Sequence, residues 1–289
     1  LEEARLSALL NHPNLVQTID FGEHEGVPFL AQELVEGIDL ARGLSQLSAM
    51  GRRPAASAAC FLTGAVLQAL DYAHKLDSLD GTPLQLIHRD ISPHNVLLGR
   101  SGAVKLTDFG IARHEGREEH AQANRVKGKP AYMAPEQMVG DQRGPYTDIF
   151  ALGIVCAEAL GAVRIRNAKN VTNVLHVGRR VKAVLRPLGI RSELVELLDH
   201  WTNFEPSQRP ATAAEAYRAL KPLSPDSPDP KEVLRHLIDV VGGHAEPDDQ
   251  LLPKKMDAVG DDTEIEAARP EAPREATLEL GLTANLAPP

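Results

Sequence analysis

The chain has 289 residues, a formal net charge of −9, 43% hydrophobic and 25% charged residues. That composition excludes a wholly disordered chain and a collagen-like one. The longest apolar run, residues 149–163, is 15 residues and contains Glu158, so it reads as a buried helix and not as a membrane span. The opening LEEARLSALL does not follow the basic, apolar, cleavage-site order of a signal peptide. Cys60 and Cys156 are far apart in apolar surroundings and read as buried thiols of a reducing compartment, which implies a cytoplasmic protein. The charge is uneven. Residues 1–221 hold 25 Lys+Arg and 25 Asp+Glu, whereas residues 222–289 hold 6 and 15, with 10 of the 21 prolines and no aromatic residue. Such a tail buries little apolar surface, which places a domain boundary near Pro222. The neutral body offers no basic face for nucleic acid.

In chain order, Leu6, Leu9 and Leu10 share one helical face, ended by His12-Pro13. Residues 15–21 and 28–35 read as two strands joined by a polar turn at 22–26, and residues 55–76 as a long apolar helix. Residues 79–84 form a loop. Ile87 and residues 96–98 are short strand pieces, and a turn at 99–102 leads into a return strand at 104–106. Residues 108–134 have no period and read as a long functional loop. Helical patterns follow at 148–160, 171–184, Ser192–Trp201 and Ala213–Leu220. In the tail, Val233, Leu234, Leu237, Ile238 and Val241 mark an amphipathic helix over Pro230–Val241, docked on the body or awaiting a partner.

The chemistry lies in the middle of the chain. His88-Arg89-Asp90-Ile91-Ser92-Pro93-His94-Asn95 is followed by the hairpin, then by Asp108-Phe109-Gly110, and Ala134-Pro135-Glu136 closes the segment. Any one triplet is a weak signal. The three in order, with a hairpin between the first two, resemble the protein-kinase signature set of catalytic loop, metal-binding triplet and activation-segment end. Over residues 1–221 the chain resembles bacterial eukaryotic-like Ser/Thr protein kinases.

The resemblance implies an α+β, protein-kinase-like fold. Residues 1–33 would be a truncated small lobe (one helix and two strands), residues 34–221 a mostly helical large lobe, and residues 222–289 the acidic tail. It implies transfer of the ATP γ-phosphate to Ser/Thr hydroxyls of protein substrates, with Mg²⁺. Asp90 resembles the catalytic base that accepts the substrate hydroxyl proton, and Asn95 and Asp108 resemble the metal ligands. Both arms of the hairpin would end near one point, where a carboxylate, an amide oxygen and phosphate oxygens suit Mg²⁺. Residues 33–35 would form the hinge, with backbone groups of Glu33 and Val35 meeting adenine and Gln32 just before it. Asp39 resembles the ribose-contacting acid, and a helix N-cap is an equal reading of it. Glu3 falls where the family carries the helix glutamate that pairs with a strand lysine. His88 and Phe109 read as packed core. Arg89 is expected to hold the activation segment, Asp148 to brace the catalytic loop, and Glu136 to pair with Arg209 in the core.

The chain also departs from the pattern. It contains no G-x-G-x-x-G, and no lysine precedes Lys75. This points to a fragment with impaired phosphotransfer, or alternatively to a pseudokinase or binding scaffold. A small-molecule phosphotransferase is disfavoured by Ala134-Pro135-Glu136 and Arg209. Ser92 stands where Ser/Thr kinases have the lysine that meets the γ-phosphate. Lys129 stands where they have threonine, so Lys129 either supplies the missing charge or is solvated. No Ser or Thr lies between Gly110 and Ala134. Glu115, Glu118 and Glu119 therefore either offer Arg89 standing charge or are plain loop carboxylates.

Overall fold

Glu25 and Gly26 both take positive φ, 52° and 79°. That is the backbone of a two-residue hairpin turn whose twist matches its flanking strands. The computed structural model describes residues 9–78, 81–109, 129–140, 143–165 and 176–255. In it the turn joins β1 (Thr18–His24) to β2 (Val27–Gln32) in an antiparallel ribbon. The expected strand start at residue 15 moves to 18 because residues 14–16 pair elsewhere: Leu106 N–H donates to Asn14 O at 2.8 Å and Val16 N–H to Leu106 O at 2.9 Å. The ribbon is open, with Ile19, Val27, Phe29 and Leu30 all exposed. The expected helix around Leu6 and the position of Glu3 lie outside the described residues.

A second antiparallel sheet has the order β3 (Gly37–Asp39), β4 (Val96–Gly99), β5 (Val104–Leu106). Glycine at 37 is a steric requirement, since a Cβ there would lie 1.8 Å from Leu98 O. Helix α1 (Leu40–Ala49) follows β3 directly. Helix α2 (Ala56–His74) buries residues on every side, the signature of a helix enclosed by others. It packs against α4 (Pro145–Gly161) and α7 (Ala213–Leu220). Helix α4 is likewise enclosed: Phe150, Leu152, Ile154 and Val155 are fully buried. Short α3 (Pro135–Val139) precedes it, and α5 (Val177–Leu185) and α6 (Ser192–Trp201) pack together beside it. Residues 171–175 of the expected 171–184 helix lie outside the described residues. Cys60 and Cys156 are both free and buried, and burial pushes the Cys60 thiol up to about 11.

The tail begins as part of this body. Helix α8 (Pro230–Val241) starts at Asp229, whose carboxylate accepts from Lys231 N–H at 3.2 Å. Its stripe of Val233, Leu234 and Leu237 is fully buried against α1, α2 and β4. The chain then returns along the α1–α2 connection. Ala55 N–H donates to Leu251 O and Arg53 N–H to Pro253 O, each at 3.0 Å, and Lys255 N–H donates to Gly51 O at 2.7 Å. Arg52 reaches Asp249 and, at 2.9 Å, Leu252 O. The compact unit therefore runs from Leu1 to Ala258, and Pro222 falls within it. The second unit, Val259–Pro289, lies outside the described residues. Among the described residues no helix is long and apolar enough to cross a membrane.

Candidate active site

The catalytic-loop segment hangs from one buried carboxylate. Asp148, in the first turn of α4, is 1% exposed. Its Oδ1 accepts from Arg89 N–H at 2.8 Å, and its Oδ2 accepts from His88 N–H at 2.8 Å and lies 2.9 Å from His74 Nε2. Burial works to raise this acid, but the His74 hydrogen bond and the other donors outweigh it and hold Asp148 below the ordinary carboxylate value. These bonds fix a backbone that sterics disfavour: Arg89 has φ +65°.

His88 is fully buried. Its ring tilts over Phe109 with centroids 4.5 Å apart. Nδ1 accepts from Asp90 N–H at 3.3 Å while Nε2 faces Thr107 O at 3.0 Å. This pair of contacts requires the neutral ring protonated on Nε2. Burial, only partly offset by Asp148, Thr107, Asp90 and Asp108, lowers the histidine below its ordinary value and keeps it neutral.

Asp90 and Asn95 are in contact, and the strand that leads to Asp108 is bonded to Asn95. Asn95 Nδ2 donates to Asp90 O at 2.8 Å and to Asp90 Oδ2 at 3.1 Å. Asn95 O accepts from Thr107 N–H at 3.0 Å, one residue before Asp108. Asp108 itself is exposed and has φ +57°. Asn95 spends its amide hydrogens on Asp90, and its Oδ1 takes part in neither of those bonds. An amide oxygen and a neighbouring carboxylate are the hard donors that Mg²⁺ takes, with phosphate oxygens and water completing the shell. Among the described residues no three His, Cys, Asp or Glu side chains gather as a metal cluster.

The other expected positions lie between β2 and α1 and just before Asn95. Residues 33–36 connect β2 to β3. Glu33 N–H already bonds Gln17 O at 2.9 Å, and its carboxylate is held by Lys105 Nζ at 2.6 Å and Gln17 N–H at 2.8 Å. Burial would raise Glu33, but Lys105 and Gln17 keep it below its ordinary value. Val35 N–H and C=O have no partner among the described residues. Asp39 caps α1, with Oδ1 accepting from Arg42 N–H at 2.9 Å, and lies 3.9 Å from His94 Nδ1. The capping role is realised there without closing off the second oxygen. Ser92 is buried just before the turn that carries Asn95. The side chains of Lys129, Glu115, Glu118 and Glu119 lie outside the described residues.

Below the loop, Glu136 and Arg209 form a buried bidentate pair at 2.8 and 3.0 Å. Arg209 also donates to Asn203 O, Phe204 O and Tyr146 O, and Thr147 Oγ1 donates to Glu136 Oε1 at 2.9 Å. Three contacts carry no sequence signature of their own. His74 reaches Asp148 from the end of α2. Gln137 Nε2 donates to Arg89 O at 3.0 Å while its Oε1 accepts from Ala134 N–H at 2.9 Å, joining the catalytic loop to the segment end. Tyr132 OH donates to Glu158 at 2.7 Å and accepts from Arg164 at 3.1 Å. The only hint at Glu158 is an acid inside an apolar run.

A buried aspartate beneath a loop, an aspartate–asparagine pair and a hairpin leading to a second aspartate are arranged as in the protein-kinase fold. The protein kinase domain family matches residues 1–220, and the chain belongs to that family. It is 39% identical over 220 residues to the tyrosine-protein kinase MasK of Myxococcus xanthus, covering 73% of this chain and 33% of that protein. It is 37% identical over 175 residues to the serine/threonine-protein kinase PknA of Mycobacterium tuberculosis, covering 56% and 36%. The match thus spans about a third of the length of these relatives. Among solved structures, the PknI kinase domain of M. tuberculosis superposes with a TM-score of 0.57 at 23% identity, covering 78% of this chain and 76% of that one. At that identity the likeness speaks for the fold, a helix-rich large lobe with a small sheet portion.

Proposed function

We propose that this chain is the catalytic large lobe of a kinase that transfers the γ-phosphate of ATP to Ser/Thr hydroxyls of protein substrates. The supporting observation is the Asp90–Asn95 contact tied through Asn95 O to the strand that delivers Asp108. In this reading Asp90 orients the substrate hydroxyl and takes its proton, and its carboxylate is held ready by Asn95 Nδ2. His88 fixes the loop backbone by accepting from Asp90 N–H. Asn95 Oδ1 and Asp108 would hold Mg²⁺, which when bound neutralises phosphate charge and positions the terminal phosphoryl group. The free N–H and C=O of Val35 are suited to an adenine edge, and Glu33 contributes through its carbonyl. Asp39 turns its second oxygen toward the ribose. The buried Ser92 hydroxyl supplies polarity but no charge near the phosphates.

We propose that, with the neutral Ser92 where the resembled kinases carry a lysine, this chain turns over more slowly than the ~1–100 s⁻¹ usual for kinases. A binding scaffold without phosphotransfer is the second reading, favoured by Ser92. The test is phosphotransfer from [γ-³²P]ATP with Mg²⁺ to casein, beside a thermal melt with Mg²⁺-ATP. Slow transfer abolished by Asp90→Asn supports the kinase. A raised melting temperature with no transfer supports the scaffold. Phosphoamino-acid analysis decides the hydroxyl: phosphotyrosine in place of phosphoserine or phosphothreonine would align the chain with the specificity in MasK's name and overturn the Ser/Thr assignment.

A further inference from the structure

Away from the catalytic loop, the returning tail and the large lobe together line a half-open cavity of about 260 Å³. Its walls come from the α1–α2 connection, the turn before α6 and the segment after α7, with Ala56, Ile190, Leu194 and Leu223 among its apolar lining. Arg53 and Arg191 are its two charged residues, and no acidic residue lines it.

Arg53 is the unusual member. Its Nε is buried without a hydrogen-bond partner, and its Nη2 has only Leu188 O at 3.4 Å. No carboxylate pairs with it among the described residues. Burial lowers its guanidinium below the ordinary arginine value. Arg191 has a single loose contact, with Glu193 at 3.9 Å, on the solvent side. A half-buried guanidinium costs stability unless a counter-charge meets it, and arginine's fork matches a carboxylate bidentately. The rest of the lining offers hydrocarbon. A phosphate would meet two cations but then face apolar walls that cannot satisfy its remaining oxygens.

We infer that this cavity binds a small amphipathic monocarboxylate, its anionic head on Arg53 and Arg191 and its hydrocarbon body between Ala56, Ile190, Leu194 and Leu223. The volume, slightly below the roughly 300–1,000 Å³ of drug-sized pockets, suits a medium-length chain or a single ring. The site does not involve the residues proposed for phosphotransfer, so its occupancy is measurable whether or not the chain is an active kinase.

Sodium octanoate titrated into the 289-residue chain by isothermal calorimetry is the test, with octan-1-ol and inorganic phosphate as controls. One saturable site is expected, with Kd on the order of 0.1–1 mM for a ligand of this size. Arg53→Gln keeps the backbone bond to Pro253 and should weaken octanoate about tenfold or more. Ala56→Leu fills the cavity and should abolish binding while the circular-dichroism melt stays cooperative. Octan-1-ol and phosphate should each bind at least about tenfold more weakly than octanoate. Absence of saturable octanoate binding up to about 10 mM, or unchanged affinity in a folded Arg53→Gln or Ala56→Leu variant, overturns the assignment. So does octan-1-ol or phosphate binding as tightly as octanoate.

Discussion

Replacing Arg209 with methionine removes the donor side of the buried ion pair. Glu136, 4% exposed, would keep only Thr147 Oγ1, and Asn203 O, Phe204 O and Tyr146 O would each lose a guanidinium donor. The stacking of the guanidinium over Phe150, 4.6 Å from its centroid, goes as well. Stranding one charge of a buried pair costs about 3–5 kcal/mol. The reverse change, Glu136→Gln, is milder: Arg209 keeps its three carbonyl acceptors, and a neutral amide oxygen can still accept one bond. The double variant Glu136→Gln/Arg209→Met carries no stranded charge, so it should be more stable than Arg209→Met although it has lost more native contacts. Urea unfolding followed by fluorescence of Trp201, the only tryptophan and fully buried, reads all four proteins. With m near 3 kcal/mol/M, a 4 kcal/mol loss moves the midpoint down by about 1.3 M. An Arg209→Met midpoint within about 0.3 M of the parent, or a double variant no more stable than Arg209→Met, would refute the reasoning.

Asp148→Asn replaces an acceptor with an amide that cannot accept from His88 N–H, Arg89 N–H and His74 together; the expected loss is at least about 1–3 kcal/mol, read as a lowered thermal midpoint. The pH profile follows from His88, which is faced by Asp148, Asp90 and Asp108. Its folded-state value lies below 6.5, so its contribution is complete above pH 6.5 and disappears as pH falls through the lower folded value. Melts from pH 7.5 to 5 should show that decline, with a flatter curve for His88→Asn. Glu158, raised by burial despite Tyr132, Ile165 and Arg164, acts oppositely: its contribution is complete below 4.5 and is lost as pH rises through its folded value. The comparison is therefore made in a Glu158→Gln background. Leu237→Ala on α8 should destabilise by about 2–5 kcal/mol in urea unfolding; a change under about 0.5 kcal/mol would mean that α8 does not belong to the core.

The sequence carried the catalytic loop and segment end because those features are local: three short motifs in order, with Gly99 and Gly102 marking the hairpin between the first two. The enclosed helices were legible too, since the apolar density of 148–160 has no polar face to offer solvent. What escaped were contacts made across the fold. Nothing in the string pairs His74 with Asp148, 74 residues on, or Gln137 with Arg89, 48 residues back. The start of β1 was misplaced because residues 14–16 look like strand and do form bridge bonds, but to β5 and not to β2. Composition misled at the tail. Ten prolines and excess acid describe residues 222–289 on average, whereas Val233, Leu234, Leu237 and Leu252 together bury enough to hold residues 222–255 on the body.

The same contacts support the two parts of the proposed site unequally. Asp90 and Asn95 are bonded to each other and, through His88 and Asp148, to α2 and α4, two helices buried on every side. Displacing Asp90 therefore requires breaking a buried network as well as bending a loop, and under the proposed function that network would hold the base within the tolerance of in-line transfer. The connection proposed to meet the nucleotide rests on less. Val35 lies in an extended connection next to Leu34, which is 85% exposed, and the β1–β2 ribbon keeps apolar side chains in water on both sides of its turn. Its main tethers to the large lobe are the Lys105–Glu33 pair and the Asn14–Val16 bridge to β5. Under the proposed function, the metal and base side would be fixed by the core, while the adenine side would be positioned by a few bonds at the edge of a three-stranded sheet.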